Sequence, residues 1–329
     1  MLEILINFSL FILGCIFLYY ASDSLINQSA LISKKLKLSP IIIGATVIAI
    51  GTSLPELLVS LYSMFLLDGQ ESSSIIVGNV LGSNIANISL VLGVCVLFHK
   101  MIFQTNIFKE LLFIFFLGLY AIGCLYYEIN INQFHGITLL LLFCFYLYYL
   151  VVSNKIEKFE EDFISINWLY TIFILLLSII GLALGTDLVL RNAINISKIL
   201  GFNELTISIT IIALGTSLPE LFSSMIAIKN KHYNLLIGNI IGSNVINIVF
   251  VLGFSSLFTK SGIHIDTSAI MLKGSSITIG HILPYIIIAF ILSHIMLIGY
   301  YLFKKSMSRI EGLLFVVLYV LFLYSLFQI

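Results

Sequence analysis

Apolar residues run through most of this chain without the polar stripe of a soluble amphipathic helix, and polar residues gather at short breaks between the runs. Windows of about 20 apolar residues, the length a helix needs to cross the hydrocarbon, fall over 3–24, 40–67, 74–98, 106–127, 134–152, 168–190, 205–228, 234–258, 280–302 and 309–327. The pattern predicts an all-α integral membrane protein with ten transmembrane helices. One clearly polar stretch, 153–167, carries Lys155, Glu157, Lys158, Glu160, Glu161 and Asp162 and separates five spans in residues 1–152 from five in residues 168–329. The first apolar run has Glu3 instead of a basic leader and no small-residue cleavage pattern, so it is expected to remain as a span.

The two halves repeat each other. Residues 23–60 align with 187–224 at a constant offset of 164, matching Asp23 with Asp187 and Gly51-Thr52-Ser53-Leu54-Pro55-Glu56 with Gly215-Thr216-Ser217-Leu218-Pro219-Glu220. A second block, from Gly78-Asn79 through Gly82-Ser83-Asn84 to Asn87, recurs from Gly238-Asn239 through Gly242-Ser243-Asn244 to Asn247 at an offset of 160. The linker between the blocks is therefore four residues longer in the first half. With five spans per half, the second copy enters the membrane from the opposite side, an inverted repeat of the kind that puts substrate near the midplane of secondary transporters.

Composition agrees with the span pattern: 329 residues are 60% hydrophobic and 10% charged, with a mean hydropathy of +1.13. Sixteen basic and sixteen acidic side chains cancel, which removes the basic field that nucleic-acid binding needs. Their placement does not cancel. Loops after odd-numbered spans hold Lys34, Lys35, Lys37, Lys100, Lys109, Lys155, Lys158, Lys229, Lys231, Lys304, Lys305 and Arg309, and the other side only Arg191, Lys198, Lys260 and Lys273. By the positive-inside rule, the 153–167 linker is expected in the cytoplasm and both termini outside a cell membrane.

The candidate chemistry lies in the repeated blocks. A glutamate at bilayer depth is expensive enough to need a partner, and no Lys or Arg occurs near either Glu56 or Glu220 in sequence. On a continuous helix, Thr52 and Glu56 are i, i+4 neighbours with Ser53 at i+3, which puts two hydroxyls and a carboxylate on one face. Pro55 has no N–H for the carbonyl of Gly51, so a bend is expected there, with carbonyls around Ala49 to Thr52 open as ligands. Ser83 and Asn87, and Ser243 and Asn247, add hydroxyl and amide oxygens, while Gly78 and Gly82 are expected to let another backbone approach. Oxygen-only donors suit hard cations such as Na⁺ and Ca²⁺.

Plainer roles stand beside these. Isolated Ser, Thr and Asn in membrane helices commonly serve packing or bond to their own turn, and a proline kink can shape a bundle. Asp23 and Asp187, at the ends of predicted spans one and six, read as caps or interfacial anchors, and Asp68 and Glu71 as a solvated outer loop. Cys15, Cys95, Cys124 and Cys144 stand singly as small apolar fillers. The histidines, scattered over loops and helix ends, form no zinc pattern and offer no Ser/His arrangement for an enzyme.

GTSLPE followed by GNxxGSNxxN, twice, with five spans per half, resembles the alpha-repeats of the calcium/cation antiporter superfamily, specifically its sodium/calcium exchanger branch, over essentially the whole chain. The resemblance implies that spans two, three, seven and eight hold four adjacent ion sites and that spans one and six slide across them. It implies Glu56 and Glu220 as acidic ligands, hydroxyls from Thr52, Ser53, Thr216, Ser217, Ser83 and Ser243, backbone carbonyls from Ala49, Thr52, Ala213 and Thr216, and Asn87 and Asn247 facing the middle. Some relatives, including the potassium-dependent branch, carry Asp at one of the two Asn positions, which argues against potassium co-transport here. The short linker lacks the calcium-sensing domains of animal exchangers.

The expected function is electrogenic exchange of three Na⁺ for one Ca²⁺ by alternating access, expelling Ca²⁺. The ions are cargo and no cofactor is expected. The lipid bilayer is the expected surrounding, with no obligate protein partner and a monomeric state. Close carboxylates in a low dielectric also bind protons, so Ca²⁺/H⁺ antiport remains open. A potassium-dependent exchanger and a cation channel are further alternatives.

Overall fold

The computed structural model describes residues 2–66, 69–127, 129–153, 166–199, 213–259, 262–263 and 279–327. Asp68, the charged part of the linker, Lys260, Lys273 and the first third of predicted span seven lie outside the described residues. Among those described, eight helices are long and apolar enough to cross a bilayer, and the bent pair Pro40–Thr52 and Leu54–Phe65 supplies a ninth span. The remaining predicted span is described from Ala213 onward, as Ala213–Thr216 and Leu218–Lys229.

Two helices run well past their predicted ends. The first covers Leu2–Leu36 and the sixth-span helix Trp168–Ile199, so Asp23 and Asp187 lie inside helices and cap neither. Residues 25–36 contain neither Gly nor Pro, and their polar side chains alternate with the buried Leu25, Ile26 and Ile32, which keeps the helix going beyond the apolar run. Asp23 accepts from Asn27 Nδ2 at 3.1 Å, and Asp187 pairs with Arg191 Nε at 2.6 Å, both one turn on. Span three likewise starts early, at Gly69, which puts Glu71 in a helical first turn instead of a loop.

Burial sorts the spans. In Tyr233–Phe258 and Ile75–Phe98, 94% and 78% of the most apolar window is buried, against 17% in the first helix. The helices carrying the second sequence block are thus interior, while large apolar residues such as Leu5, Leu169 and Phe303 remain exposed as a lipid-facing surface requires. Cys95 and Cys124 fill buried positions, whereas Cys144 is exposed and fills nothing. His294, expected at a helix end, is buried within Ile279–Phe303, where its ring lies 3.8 Å from that of Phe290.

The chain forms two compact units, Met1–Pro55 with Tyr149–Ser243, and Glu56–Tyr148 with Asn244–Ile329, and each draws on both sequence repeats. In the first unit, the two long helices cross at Gly14 and Gly185, where a Cβ on Gly14 would lie 2.9 Å from the Gly185 carbonyl oxygen. Small residues allow that approach, and backbone packing replaces the hydrophobic drive that lipid cannot supply. Asn195 Nδ2 donates to Asn7 Oδ1 at 3.1 Å across the same pair.

In the second unit, Gly93 and Gly312 bring Leu92–Phe98 against Arg309–Phe327 in the same way. A short antiparallel ribbon, Met101–Ile102 with Ser306–Met307, ties the loops below them. Ser308 then starts the last helix. Its N–H donates to Glu311 Oε2 at 2.8 Å and its hydroxyl donates to the same oxygen, a capping arrangement that Lys304 joins through Glu311 Oε1 at 2.5 Å.

Candidate cation site

Both hexapeptides break their helix at the serine. Ser53 has φ −84° and ψ 10°, Ser217 φ −83° and ψ 4°, and a new helix starts at the following leucine in each repeat. Between Pro40–Thr52 and Leu54–Phe65 the chain bends by 45°. The prolines therefore stand in the first turn of a new helix, where a missing N–H costs no intrahelical bond, and not in the middle of an old one. The expected i, i+4 face shared by Thr52 and Glu56 does not exist, because the two residues belong to different helical segments. Glu56 and Glu220 instead occupy helix first turns, where the backbone dipole favours a carboxylate.

The break also changes which carbonyl is open. Ala49 O accepts the Ser53 N–H at 3.0 Å and lies 3.4 Å from the Thr52 hydroxyl, so only part of its lone-pair capacity remains. Pro55 withholds a partner from Gly51 O alone. Thr216 ends the helix described from Ala213 onward.

Within the first unit, groups from both repeats collect around Glu220, which is fully buried. Ser53 Oγ donates to Glu220 Oε1 at 3.0 Å, and Ser243 Oγ donates to the same oxygen at 3.4 Å. Thr52 Oγ1 donates to Asn239 Oδ1 at 3.1 Å and stands 3.4 Å from Ser243 Oγ. Asn239 in turn donates from Nδ2 to Ser224 Oγ at 3.2 Å, which holds its oxygen toward Thr52. Glu220 Oε2 and Ser217 Oγ are buried without a hydrogen-bond partner among the described residues. Thr216 is buried as well.

This arrangement needs close backbones. A Cβ on Gly44 would lie 2.5 Å from Leu235 O, and one on Gly242 2.5 Å from Ala45 Cα. Gly238 and Gly242 thus admit another backbone, as was expected of their first-repeat counterparts Gly78 and Gly82. The second-repeat counterparts of Gly44 and Ala45, residues 208 and 209, lie outside the described residues.

The second unit holds the remaining candidates. Glu56 is fully buried, and its backbone carbonyl accepts Asn79 Nδ2 at 2.8 Å, while the same nitrogen reaches Ser60 Oγ at 3.1 Å. Asn79 and Asn239 thus hold equivalent serines in the two repeats. Ser83 is buried. Asn87 and Asn247 are fully buried, each in or at a widened helical turn, Asn87–Val91 and Ile246–Leu252, of the kind that often marks functional positions. Their side-chain oxygens have no hydrogen-bond partner among the described residues.

The donor set is chemically uniform. Hydroxyl, amide and carboxylate oxygens line both clusters, and no three His, Cys, Asp or Glu side chains come together among the described residues. A buried acceptor left without a hydrogen bond costs about 1–3 kcal/mol, and a hard cation satisfies several such oxygens at once. Sequence reasoning missed Asn239, Asn79 and Ser224 as holders of the site. Their identity at matched positions of the two repeats was the available signal.

Residues 6–152 and 170–328 match the family model for sodium/calcium exchanger protein. A membrane protein of Methanocaldococcus jannaschii, MJ0091, is 33% identical over 323 residues, covering 96% of each chain. The sodium/calcium exchanger MaX1 of Methanosarcina acetivorans is 28% identical over 303 residues, which span 78% of this chain and 84% of that one. A solved structure of the sodium-calcium exchanger NCX_Mj, soaked with zero Na⁺ and Ca²⁺, superposes with a TM-score of 0.79 at 30% identity, covering 98% of this chain and 99% of that one.

Proposed function

This chain belongs to the sodium/calcium exchanger family, and from that membership we propose that it is a secondary transporter exchanging Na⁺ for Ca²⁺ by alternating access. The observation that carries the reading is Glu220, a fully buried carboxylate that Ser53 and Ser243, both neutral hydroxyls, hold by hydrogen bonds. An ionised carboxylate in such surroundings needs a positive charge, and the adjoining oxygens are those a hard cation takes.

In this reading Glu56 and Glu220 are the acidic ligands of the transported ions. Thr52, Ser53, Thr216, Ser217, Ser83 and Ser243 supply hydroxyls, Ala49 and Ala213 carbonyls, and Asn87 and Asn247 amide oxygens. Two carboxylates balance one Ca²⁺, whereas three Na⁺ leave one positive charge, so the exchange is electrogenic. Competition of both loads for the same carboxylates couples their fluxes, and an empty, doubly negative site resists reorientation in the membrane. The protein is a monomer in the cell membrane, with its termini outside and the 153–167 linker in the cytoplasm, as the lysine distribution favours.

Ca²⁺/H⁺ exchange is the second reading, and the neutral surroundings of Glu220 favour it too, since a proton is the other counter-charge a carboxylate held by hydroxyls takes. Uptake of ⁴⁵Ca²⁺ into proteoliposomes separates the two. An outward Na⁺ gradient is expected to drive uptake, and an inside-positive potential to favour it, because three positive charges leave for the two that enter. Uptake driven by a pH gradient in sodium-free buffer supports the proton version. Flux indifferent to both gradients overturns exchange altogether.

A further inference from the structure

Four fully buried asparagines in the second unit bond to each other in a crossed pattern. Asn84 Nδ2 donates to the backbone carbonyl of Asn244 at 3.2 Å, and Asn244 Nδ2 donates to the backbone carbonyl of Asn84 at 3.4 Å. The side-chain oxygens then pair outward: Asn87 Nδ2 donates to Asn244 Oδ1 at 3.0 Å, and Asn247 Nδ2 donates to Asn84 Oδ1 at 3.2 Å. Each repeat thus contributes one asparagine that bonds backbone and one that bonds only the other repeat's side chain.

The pattern has a direction that the amides alone lack. The oxygen and nitrogen ends of an asparagine are nearly the same size, and only hydrogen bonding decides which way each faces. A backbone carbonyl can only accept, so it requires the NH₂ end of Asn244 to turn toward Asn84 O. That leaves Asn244 Oδ1 facing Asn87, which must answer with its own NH₂ end. The remaining atom, Asn87 Oδ1, is thereby turned away as an acceptor. The same chain of constraints runs from the carbonyl of Asn244 through Asn84 to Asn247. Reversing either outer amide would set two acceptors against each other in a dehydrated interior, where an unmade bond is costly.

Both turned-away oxygens, Asn87 Oδ1 and Asn247 Oδ1, are buried without a hydrogen-bond partner among the described residues. Resting on the transport reading above, we propose that Asn84 and Asn244 are positioning residues: they touch no ion themselves, and they make Asn247 and Asn87 present an oxygen, instead of an NH₂ group, to the transported cation. A cation is attracted by the oxygen end of an amide and repelled by the nitrogen end, so orientation here is a condition of binding. An aspartate would need no such control, because both of its outer atoms are oxygens.

That difference supplies the test. Ca²⁺-dependent stabilisation of the full detergent-solubilised chain gives an affinity for each variant. Asn84→Leu is expected to weaken Ca²⁺ binding about tenfold, the value of one buried hydrogen bond. In an Asn247→Asp background the same Asn84→Leu change is expected to cost less than about threefold, because the carboxylate offers oxygen whichever way it turns. Asn244→Leu with Asn87→Asp is the mirrored pair and carries the test where the first variant does not fold. An equal loss in both backgrounds means Asn84 acts through general packing, and overturns the proposal. Ion-free melting tests the bond separately: the Asn84→Leu and Asn247→Leu losses are expected to fall short of additive, and strict additivity overturns it. A wild-type chain that neither Ca²⁺ nor Na⁺ stabilises contradicts the transport reading itself, an outcome distinct from additivity in a chain that does respond.

Discussion

Ser53 Oγ donates a 3.0 Å hydrogen bond to Glu220 Oε1, joining residues 167 positions apart. Each belongs to a different copy of the same hexapeptide. Sequence spacing offers Ser53 to its own glutamate, three residues on, but the helix break at Ser53 aims its hydroxyl at the other repeat's acid. Hydrogen bonds to a charged acceptor contribute about 1.5–3 kcal/mol. Ser53→Ala is therefore expected to lower Ca²⁺ affinity at least about tenfold, and Ser53→Thr, which keeps a hydroxyl, to recover most of it. Equilibrium ⁴⁵Ca²⁺ binding measures both.

Glu220→Gln and Glu56→Gln are expected to abolish counter-ion-driven ⁴⁵Ca²⁺ uptake, because a neutral amide cannot balance the cargo. For Glu220→Gln a second effect of opposite sign is expected. Burying an amide is cheaper than burying a carboxylate without a counter-charge, so the ion-free protein should melt at a higher temperature than wild type, while its stabilisation by Ca²⁺ disappears. Full uptake in either variant would remove the acidic-ligand assignment.

Glycine substitutions separate close packing from plain helix propensity. A Cβ at Gly44 meets Leu235 O at 2.5 Å and Gly238 Cα at 2.9 Å, both backbone atoms that cannot step aside. Gly44→Ala is expected to destabilise by about 1–3 kcal/mol, the cost of overpacking, and to weaken Ca²⁺ binding by moving the helix that carries Thr52. At Gly299, within Ile279–Phe303, nothing described lies within 4 Å, and Gly299→Ala should stabilise by about 0.5–1 kcal/mol through backbone entropy. Thermal melting in one detergent compares the two.

His232 precedes the Tyr233–Val245 helix, and burial, then the neighbouring Lys34 charge, holds its imidazolium below the ordinary value of 6.5. The unfolded chain therefore takes up this proton at a higher pH than the folded one. Its effect on stability is absent above pH 6.5 and grows as a loss while the pH falls from there toward the folded value. His232→Asn is expected to flatten the difference in melting temperature between pH 7.5 and the acid side of that window, leaving the behaviour above it unchanged. A variant whose melting curve tracks wild type across the whole range would rule this out.

Much of the fold was legible because membrane insertion writes itself into sequence at low resolution. Long apolar runs are a one-dimensional feature, and they located the spans that are described. The errors occurred where polarity and helicity part company. Residues 25–36 look like a loop by composition, yet they have no helix breaker and one apolar edge, so the helix continues and carries Asp23 into its middle. At the glycines the repeat is described on one side: Gly238 and Gly242 meet the backbone at Gly44 and Ala45, and residues 208 and 209, which would face Gly78 and Gly82, lie outside the described residues.

Sequence by itself determined the donor chemistry and its duplication. Two glutamates, two hydroxyl pairs and matched asparagines within apolar segments can be read from the chain alone, and the energetic cost of burying a carboxylate makes them point to cations. Only the tertiary structure decided who bonds whom. The bond of Ser53 to Glu220 and the crossing of Asn84 with Asn244 depend on helices from different repeats meeting. A hydrogen bond is set by distance and direction in three dimensions, and helical periodicity carries neither across a break in the helix or from one repeat to the other.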